Sequence, residues 1–398
     1  MWRTPCGTAR PRRCRSCGTS DGHARAGRRP GERRPPVTKV IQWATGGVGR
    51  AAIEAVLDHP ELELVGAWVH SADKEGTDLG TLVGRDPVGV TATTDADALL
   101  ALDADCVLYS PVFADTSVLR AILRSGKNVV TPLGWFYPRQ RDREKFDAVC
   151  AEGGVTLHGT GIHPGGLTER LPLVLSALSG SITGIRAEEF SDIRTYGAPE
   201  VVRDWMMFGR KPEEAAGSTV AALLAGGYSQ SVWMLADALG IDLDPDIRTT
   251  HDIAVATAPI ESPIGIIEPG QVAAQHFRWE GTVDGEPVLT AAVNWLMGEA
   301  DFDPPWRFGP GGQRFEVEVR GDPGCVLTLS GLHAHDLAEG ARRNPSIVAT
   351  AMNCVNAIPD VVAAAPGVRT YLDLPLPAGR AAHRLRRGGR DRGAGVRG

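Results

Sequence analysis

The sequence predicts an α/β protein: a doubly wound parallel sheet, then an α+β domain with a mixed or antiparallel sheet, between two disordered basic tails. Three observations carry this. Short apolar or β-branched runs alternate with helical stretches from residue 37 to about 158, longer alternating segments take over beyond 166, and both ends are rich in Arg and Gly with almost no large apolar side chains.

The first run, Val40-Ile41-Gln42-Trp43, feeds Ala44-Thr45-Gly46-Gly47-Val48-Gly49, and Ala51, Ala52, Ile53, Val56 and Leu57 follow at helical spacing as far as His59-Pro60. Strand, glycine turn and helix in that order make a Rossmann-type dinucleotide-binding turn, where backbone N–H groups and the positive helix N-terminus meet a pyrophosphate. The fingerprint reads A-x-G-x-x-G, with Ala44 in place of the usual first glycine. Thr45, Gly46, Gly47, Val48 and Gly49 are the expected phosphate contacts. Strands are expected at 62–69, 88–91, 106–109, 128–131 and 155–158. Helices over 96–102 and 117–124 start from Asp95 and Thr116 as N-caps, and Pro138 opens the first turn of a helix reaching 152.

Past residue 165 a helix at 167–178, a strand at 182–190 and a helix at 219–239 are expected. Segments 272–282 and 287–297 flank Asp284-Gly285, a strong hairpin signal, and 315–320 with 325–332 make a further antiparallel pair. An amphipathic helix at 346–358 returns to the first domain. The domains are thus a tail (1–36), a dinucleotide-binding domain (37–165), an α+β substrate and oligomerisation domain (166–343), a returning helix (344–377) and a second tail (378–398).

Net charge is −6, but the two tails carry +8 and +6, which leaves −20 between Val37 and Gly379. An acidic globular part without a basic stripe argues against nucleic acid, and no apolar run approaches the ~18 to 20 residues that cross a bilayer. The abrupt change of composition before Val37 marks it as an expected natural start, with residues 1–36 as upstream sequence. Cys6, Cys14, Cys17 and His23 are poor evidence for zinc, and His333 with His335 lacks a third ligand, so no metal is expected. Cys106, Cys150, Cys325 and Cys354 read as reduced core thiols of a cytoplasmic protein.

At the end of the second strand, where an acid would hold the ribose of NAD, the chain reads His70-Ser71-Ala72-Asp73-Lys74. Ser71 and Lys74, beside His70, suit a 2′-phosphate, so NADP is favoured over NAD. Ser110 and Thr131 end two further strands and complete the expected cofactor contacts. The loop Gly159-Thr160-Gly161-Ile162-His163-Pro164-Gly165-Gly166 lies at the expected domain junction. His163 is its candidate proton carrier, because imidazole titrates near neutrality. His158 reads as a core residue. Glu188, Glu189, Asp192 and Tyr196 are candidates to face the cleft; alternation lets only one of Glu188 and Glu189 do so, and Glu188 and Asp192 are taken forward with His163 as the catalytic set.

From Val37 to about Pro377 the chain resembles NAD(P)-dependent oxidoreductases with a dihydrodipicolinate-reductase-like N-terminal domain and a 2,4-diaminopentanoate-dehydrogenase-like C-terminal domain, native amine dehydrogenases included. The segments carrying the resemblance are Gln42 to Gly49, Ser125-Gly126-Lys127-Asn128-Val129-Val130-Thr131, Tyr137-Pro138, Gly159 to Gly165, and Asn356-Ala357-Ile358-Pro359. It implies hydride transfer to or from a C–N bond or carbonyl of a small amine, imine or carbonyl compound, while the mixed sheet and the returning helix suggest a homo-oligomer. In that family the proposed base is a glutamate a few residues before Tyr-Pro; here that neighbourhood reads Leu133-Gly134. The lysine and His-His signature of true dihydrodipicolinate reductases is missing as well. That departure keeps open an alternative from another class, a non-catalytic dinucleotide-binding sensor.

Overall fold

The computed structural model describes residues 37–382 and 385. Strands β1 (Thr38–Trp43), β2 (Leu62–Trp68), β3 (Ala92–Thr93), β4 (Cys106–Tyr109), β5 (Asn128–Thr131) and β6 (Thr156–Gly159) form one sheet. They stand in the order β6-β5-β4-β1-β2-β3, every pair parallel. Order reverses between β1 and β4, so loops leaving the carboxyl ends of these strands diverge and open a crevice there. Helices α1 (Gly47–Leu57), α2 (Leu79–Leu82), α3 (Ala96–Leu100), α4 (Thr116–Arg124) and α5 (Gln140–Gly153) connect the strands.

A π-helical turn, Gly166–Arg170, leads into α6 (Leu171–Ser176) and then β7 (Ser181–Asp192). Short helices α7 (Pro199–Asp204) and α8 (Pro212–Ala216) precede the long α9 (Thr219–Leu239), which Gly240 ends at φ +68°. Next come β8 (Arg248–Ala256), a small hairpin of β9 (Ile260–Ser262) and β10 (Gly265–Ile267), then β11 (Val272–Val283), β12 (Glu286–Leu296), β13 (Phe302–Asp303), β14 (Arg314–Asp322) and β15 (Cys325–Leu329). Apart from the β9–β10 hairpin these strands, with β7, form a second sheet, β13-β8-β11-β12-β7-β14-β15, in which only β12 and β7 run parallel. Asp284 and Gly285, at φ +53° and +81°, close the β11–β12 hairpin.

After α10 (Leu337–Arg343) and α11 (Pro345–Ala363), β16 (Gly367–Val368) joins the first sheet beside β6. Taken together, α10 and α11 (Leu337–Ala363) are long and apolar enough to span a membrane by composition. Their buried residues Ala351, Cys354, Val355, Ile358 and Val361 instead pack with Ala52, Ile53 and Val56 of α1 over one face of the first sheet. The other face is covered by Leu119, Ile122, Phe146 and Val149 from α4 and α5. In the second sheet, Ile185, Phe277, Trp279 and Val293 pack against Tyr228, Val232 and Leu235 of α9.

Several expected elements differ. Residues 88–91 are not a strand, because Asp78 accepts hydrogen bonds from the backbone N–H of Val88 and Gly89 and folds that segment into a turn. Asp115 rather than Thr116 caps α4, through Ser117 N at 2.8 Å. Pro138 stays outside α5, whose N-cap is Arg139. Arg380, placed in the tail by composition, bonds His59 Nε2 at 3.1 Å and pairs with Glu61. The expectations for residues 1–36, including Cys6, Cys14, Cys17 and His23, lie outside the described residues.

Candidate active site

The turn after β1 is held open by its own backbone. Ala44 adopts φ +75°, the left-handed conformation that a fingerprint glycine normally supplies, and Gln42 Nε2 clamps it through Ala44 O at 2.8 Å and Ser110 Oγ at 2.8 Å. A side chain at position 49 would put its Cβ 2.1 Å from Ala44 O, so only glycine lets α1 approach the turn. Gly46 is the N-cap of α1, with no side-chain cap and open space at its Cα, and Gly46 and Gly47 are exposed. Among the described residues the first N–H groups of α1 therefore have no protein acceptor, and the helix end is open to an anion.

A cleft of about 570 Å³ begins at this turn, with Ala44, Thr45 and Gly46 at one end and Trp68, His70, Ser71 and Lys74 along β2's exit. Trp43 and Trp68 stack at 5.4 Å beneath it, and Val112, Phe113 and Asp115 form its far wall. Asp115 is occupied in capping α4. Lys74 is half-buried and makes no ion pair among the described residues. The residues present suit a dinucleotide: an uncapped helix N-terminus and turn amides for the pyrophosphate, aromatic faces for a base, and the Lys74 cation along β2's exit. Val48 and Gly49 face the α1 side of the turn rather than this cleft. Ser110 and Thr131 also lie off its lining; Ser110 holds Gln42, and Thr131, fully buried, accepts from Leu133 N at 3.2 Å.

The loop after β6 brings together a second set. His163 Nδ1 lies 3.0 Å from Glu189 Oε2 and 3.0 Å from Tyr228 Oη, while Tyr228 Oη also lies 3.1 Å from His163 O. A carboxylate only accepts, and the Tyr228 hydroxyl is used in donating to His163 O, so Nδ1 carries the hydrogen that both partners receive. Nε2 is then the bare nitrogen. It is buried and has no hydrogen-bond partner among the described residues. Glu189 Oε1 accepts from Ser191 Oγ at 2.6 Å and Trp295 Nε1 at 3.0 Å. Burial opposes charge on Glu189, yet the His163 and Ser191 hydrogen bonds prevail and hold its pKa below the usual glutamate value.

Glu169, in the π-turn, is the second carboxyl of this cluster. It is fully buried and accepts from Gly165 N at 2.5 Å and from the hydroxyls of Thr168 and Ser231. Burial without a cation pushes its pKa up to about 7 despite these bonds. Ser231 and Tyr228, three residues apart on α9, thus reach Glu169 and His163 from one helix face.

Two expected catalytic residues stand elsewhere. Glu188, on the opposite face of β7, pairs with Arg186 and accepts from Asn294 Nδ2 at 2.9 Å; Asp192 is held by Arg194 at 2.5 Å. Of the two candidate glutamates the sequence reading took Glu188 forward, whereas Glu189, on the face of β7 shared by Ile185, Ala187 and Ser191, is the one that meets His163. Glu169, Ser191 and Tyr228 carried no motif at all. His158 bonds Arg369 O at 2.7 Å, and burial takes its pKa down to about 4. Tyr196 is partly buried near Glu189. His333 and His335 sit in the loop after β15 rather than on a strand face. Leu133 and Gly134 place no acid beside the site, and the loop presses onto β6, where a Cβ at Gly159 would meet Gly134 O at 2.1 Å.

Known proteins match both halves. The family described as dihydrodipicolinate reductase, N-terminus, matches residues 40–133, and the 2,4-diaminopentanoate dehydrogenase C-terminal domain matches 167–294 and 318–386. An amine dehydrogenase of Streptomyces virginiae is 35% identical over 355 residues, covering 84% of this chain and 96% of that protein. The 2,4-diaminopentanoate dehydrogenase of Acetoanaerobium sticklandii is 26% identical over 352 residues, 85% of this chain and 94% of that one. The solved amine dehydrogenase of Mycobacterium smegmatis shares the fold, with a TM-score of 0.70 at 24% identity over 86% of this chain and 97% of its own. Fold and cradle define an NAD(P)-dependent oxidoreductase. The chain belongs to the family of amine dehydrogenases and 2,4-diaminopentanoate dehydrogenases.

Proposed function

We propose that this protein interconverts a small amine and its carbonyl counterpart, through the imine, with NADP as hydride acceptor and His163 as proton carrier. The observation that supports it best is the His163 ring, whose Nδ1 is committed to Glu189 and Tyr228 and whose Nε2 is bare. In the oxidative direction His163 Nε2 takes a proton from the substrate nitrogen as the hydride leaves the adjacent carbon, which yields an iminium or imine; water then releases ammonia and the carbonyl compound. Bound nicotinamide supplies the hydride-accepting carbon. In the reductive direction imidazolium returns the proton to the imine nitrogen. Glu189 keeps the Nδ1–H tautomer and stabilises the imidazolium.

This base comes from the loop of β6, next to the β5 loop where the family's glutamate would stand. Gly46, Gly47 and the start of α1 hold the pyrophosphate. Lys74, with Ser71 and His70, is the support for NADP over NAD. A cytoplasmic setting is supported by Cys106, Cys150 and Cys354, which are buried and unpaired. A homo-oligomer is supported by β15, which ends the second sheet with Val326 60% exposed, an open edge for a second copy.

The test is a fluorescence titration with NADPH and NADH, followed by absorbance assays on an amine panel and on ketones or aldehydes with ammonia. Tighter NADPH binding and turnover of at least one amine–carbonyl pair are expected. Tight dinucleotide binding without turnover on any of them overturns the reading.

A further inference from the structure

We infer that His333, acting through Ser191, is a positioning residue for the His163–Glu189 pair. The inference rests on the reading of His163 as the proton carrier. Ser191 stands two residues after Glu189 on β7, so both side chains emerge on one face of the sheet. Its Oγ lies 2.6 Å from Glu189 Oε1 and 2.8 Å from His333 Nε2. A serine has one hydroxyl hydrogen, and the carboxylate has none to offer. Ser191 therefore donates to Glu189 and accepts from His333 Nε2–H.

That direction leaves His333 Nδ1 bare, and the structure agrees: this atom is buried with no partner among the described residues. His333 is 8% exposed, and its ring stacks on Phe315 at 4.7 Å and 19°. The same phenyl ring meets His163 edge-on at 5.9 Å. The loop after β15 thus presents an imidazole whose plane and tautomer are set by packing. It donates along His333, Ser191 and Glu189, while His163 Nδ1–H meets Glu189 from the other side. Trp295 Nε1–H adds a third donor to the carboxylate.

Each donor on Glu189 draws off negative charge that would otherwise raise the basicity of His163. Removing His333 frees the Ser191 hydroxyl to turn away, and His163 becomes easier to protonate. The groups that face His163 are Glu189 from β7 and Tyr228 from α9, with Glu169 of the π-turn beyond the tyrosine. Those facing Glu189 are His163, Ser191, Trp295 and Tyr196, with His333 behind the serine.

Two measurements test this. In ¹⁵N-histidine-labelled protein, NMR is expected to show His163 as the Nδ1–H tautomer and His333 as the Nε2–H tautomer at neutral pH; a His333 protonated at Nδ1 overturns the inference. In pH profiles of kcat/KM, His333→Leu and Ser191→Ala are expected to move the acid limb up by roughly half a unit, part of what a hydrogen bond to a charged group ordinarily contributes. His333→Gln, which keeps a donor amide near the Nε2 position, is expected to retain the wild-type limb. A wild-type limb in folded His333→Leu and Ser191→Ala, with turnover lost in His163→Ala, overturns the inference and leaves the function standing. Turnover retained in His163→Ala instead removes the underlying reading, and the NMR tautomers then decide the placing of His333 alone.

Discussion

Replacing Glu189 by Gln changes one oxygen to an amide nitrogen without altering shape, and the hydrogen bonds around it determine the result. Ser191 and Trp295 both donate to Oε1, so the amide oxygen has to stay on their side. The new amide nitrogen then faces His163 Nδ1, where donor would meet donor at 3.0 Å. The ring relieves this by shifting its hydrogen to Nε2, which removes the lone pair that accepts the substrate proton. The lost charge-assisted bond alone is worth about 1.5 to 3 kcal/mol, or roughly 10- to 150-fold in rate. An imposed wrong tautomer in a histidine–carboxylate pair costs up to about 10⁴-fold. Single-turnover absorbance at 340 nm is expected to show kcat down by about 10² to 10⁴, with NADPH affinity from fluorescence unchanged. A Glu189→Gln enzyme with near wild-type kcat and pH profile, alongside an inactive His163→Ala, would refute the pairing.

Other consequences follow from single contacts. Gly49→Ala forces a Cβ to within 2.1 Å of Ala44 O, so a lowered Tm, a loss of about 1 to 3 kcal/mol and at least tenfold weaker NADPH binding are expected. Ala44→Gly relieves the φ of +75° at a strain of about 1 to 2 kcal/mol but adds freedom to the unfolded chain; denaturation midpoints should show a net gain of up to about 1 kcal/mol. Lys74→Ala should weaken NADPH about tenfold or more in titrations and leave NADH unchanged, because the lost charge-assisted contact is worth about 1.5 to 3 kcal/mol. Glu169 has a folded pKa of about 7, above its ordinary 4.5, so its contribution is fully present below 4.5 and is lost as pH rises through 7. Urea titrations should therefore show wild type losing on the order of 3 kcal/mol relative to Glu169→Gln across that window.

Legibility of the fold followed from where local and tertiary forces agree. The helix over Thr219–Leu239 begins at Ser218 as N-cap and ends at Gly240, both visible in the chain, and Asp284-Gly285 announced its hairpin. Residues 88–91 misled because the carboxylate of Asp78, ten residues upstream, captures their amides, a non-local contact with no periodic trace. The cofactor turn was readable because backbone geometry demands glycine at Gly49 through a steric rule. The proton-handling cluster was half readable. His163 stands in a glycine loop at a strand end, whereas Glu189 and Tyr228 reach it from β7 and α9, dozens of residues away. Alternation along β7 puts Glu189 on one face with Ile185, Ala187 and Ser191 and Glu188 on the other, but both faces are partly buried, so the pattern alone does not say which glutamate meets His163.

The central claim, hydride transfer between a nicotinamide and an amine carbon, has a direct measurement. The protein is incubated with ammonia, a carbonyl substrate from the panel and NADPH deuterated at both C4 positions, and the amine is analysed by mass spectrometry. One deuterium on the carbon that bears nitrogen is expected, with loss of that product in His163→Ala. Amine formed without deuterium, or cofactor bound with no amine formed from any carbonyl in the panel, would contradict the account.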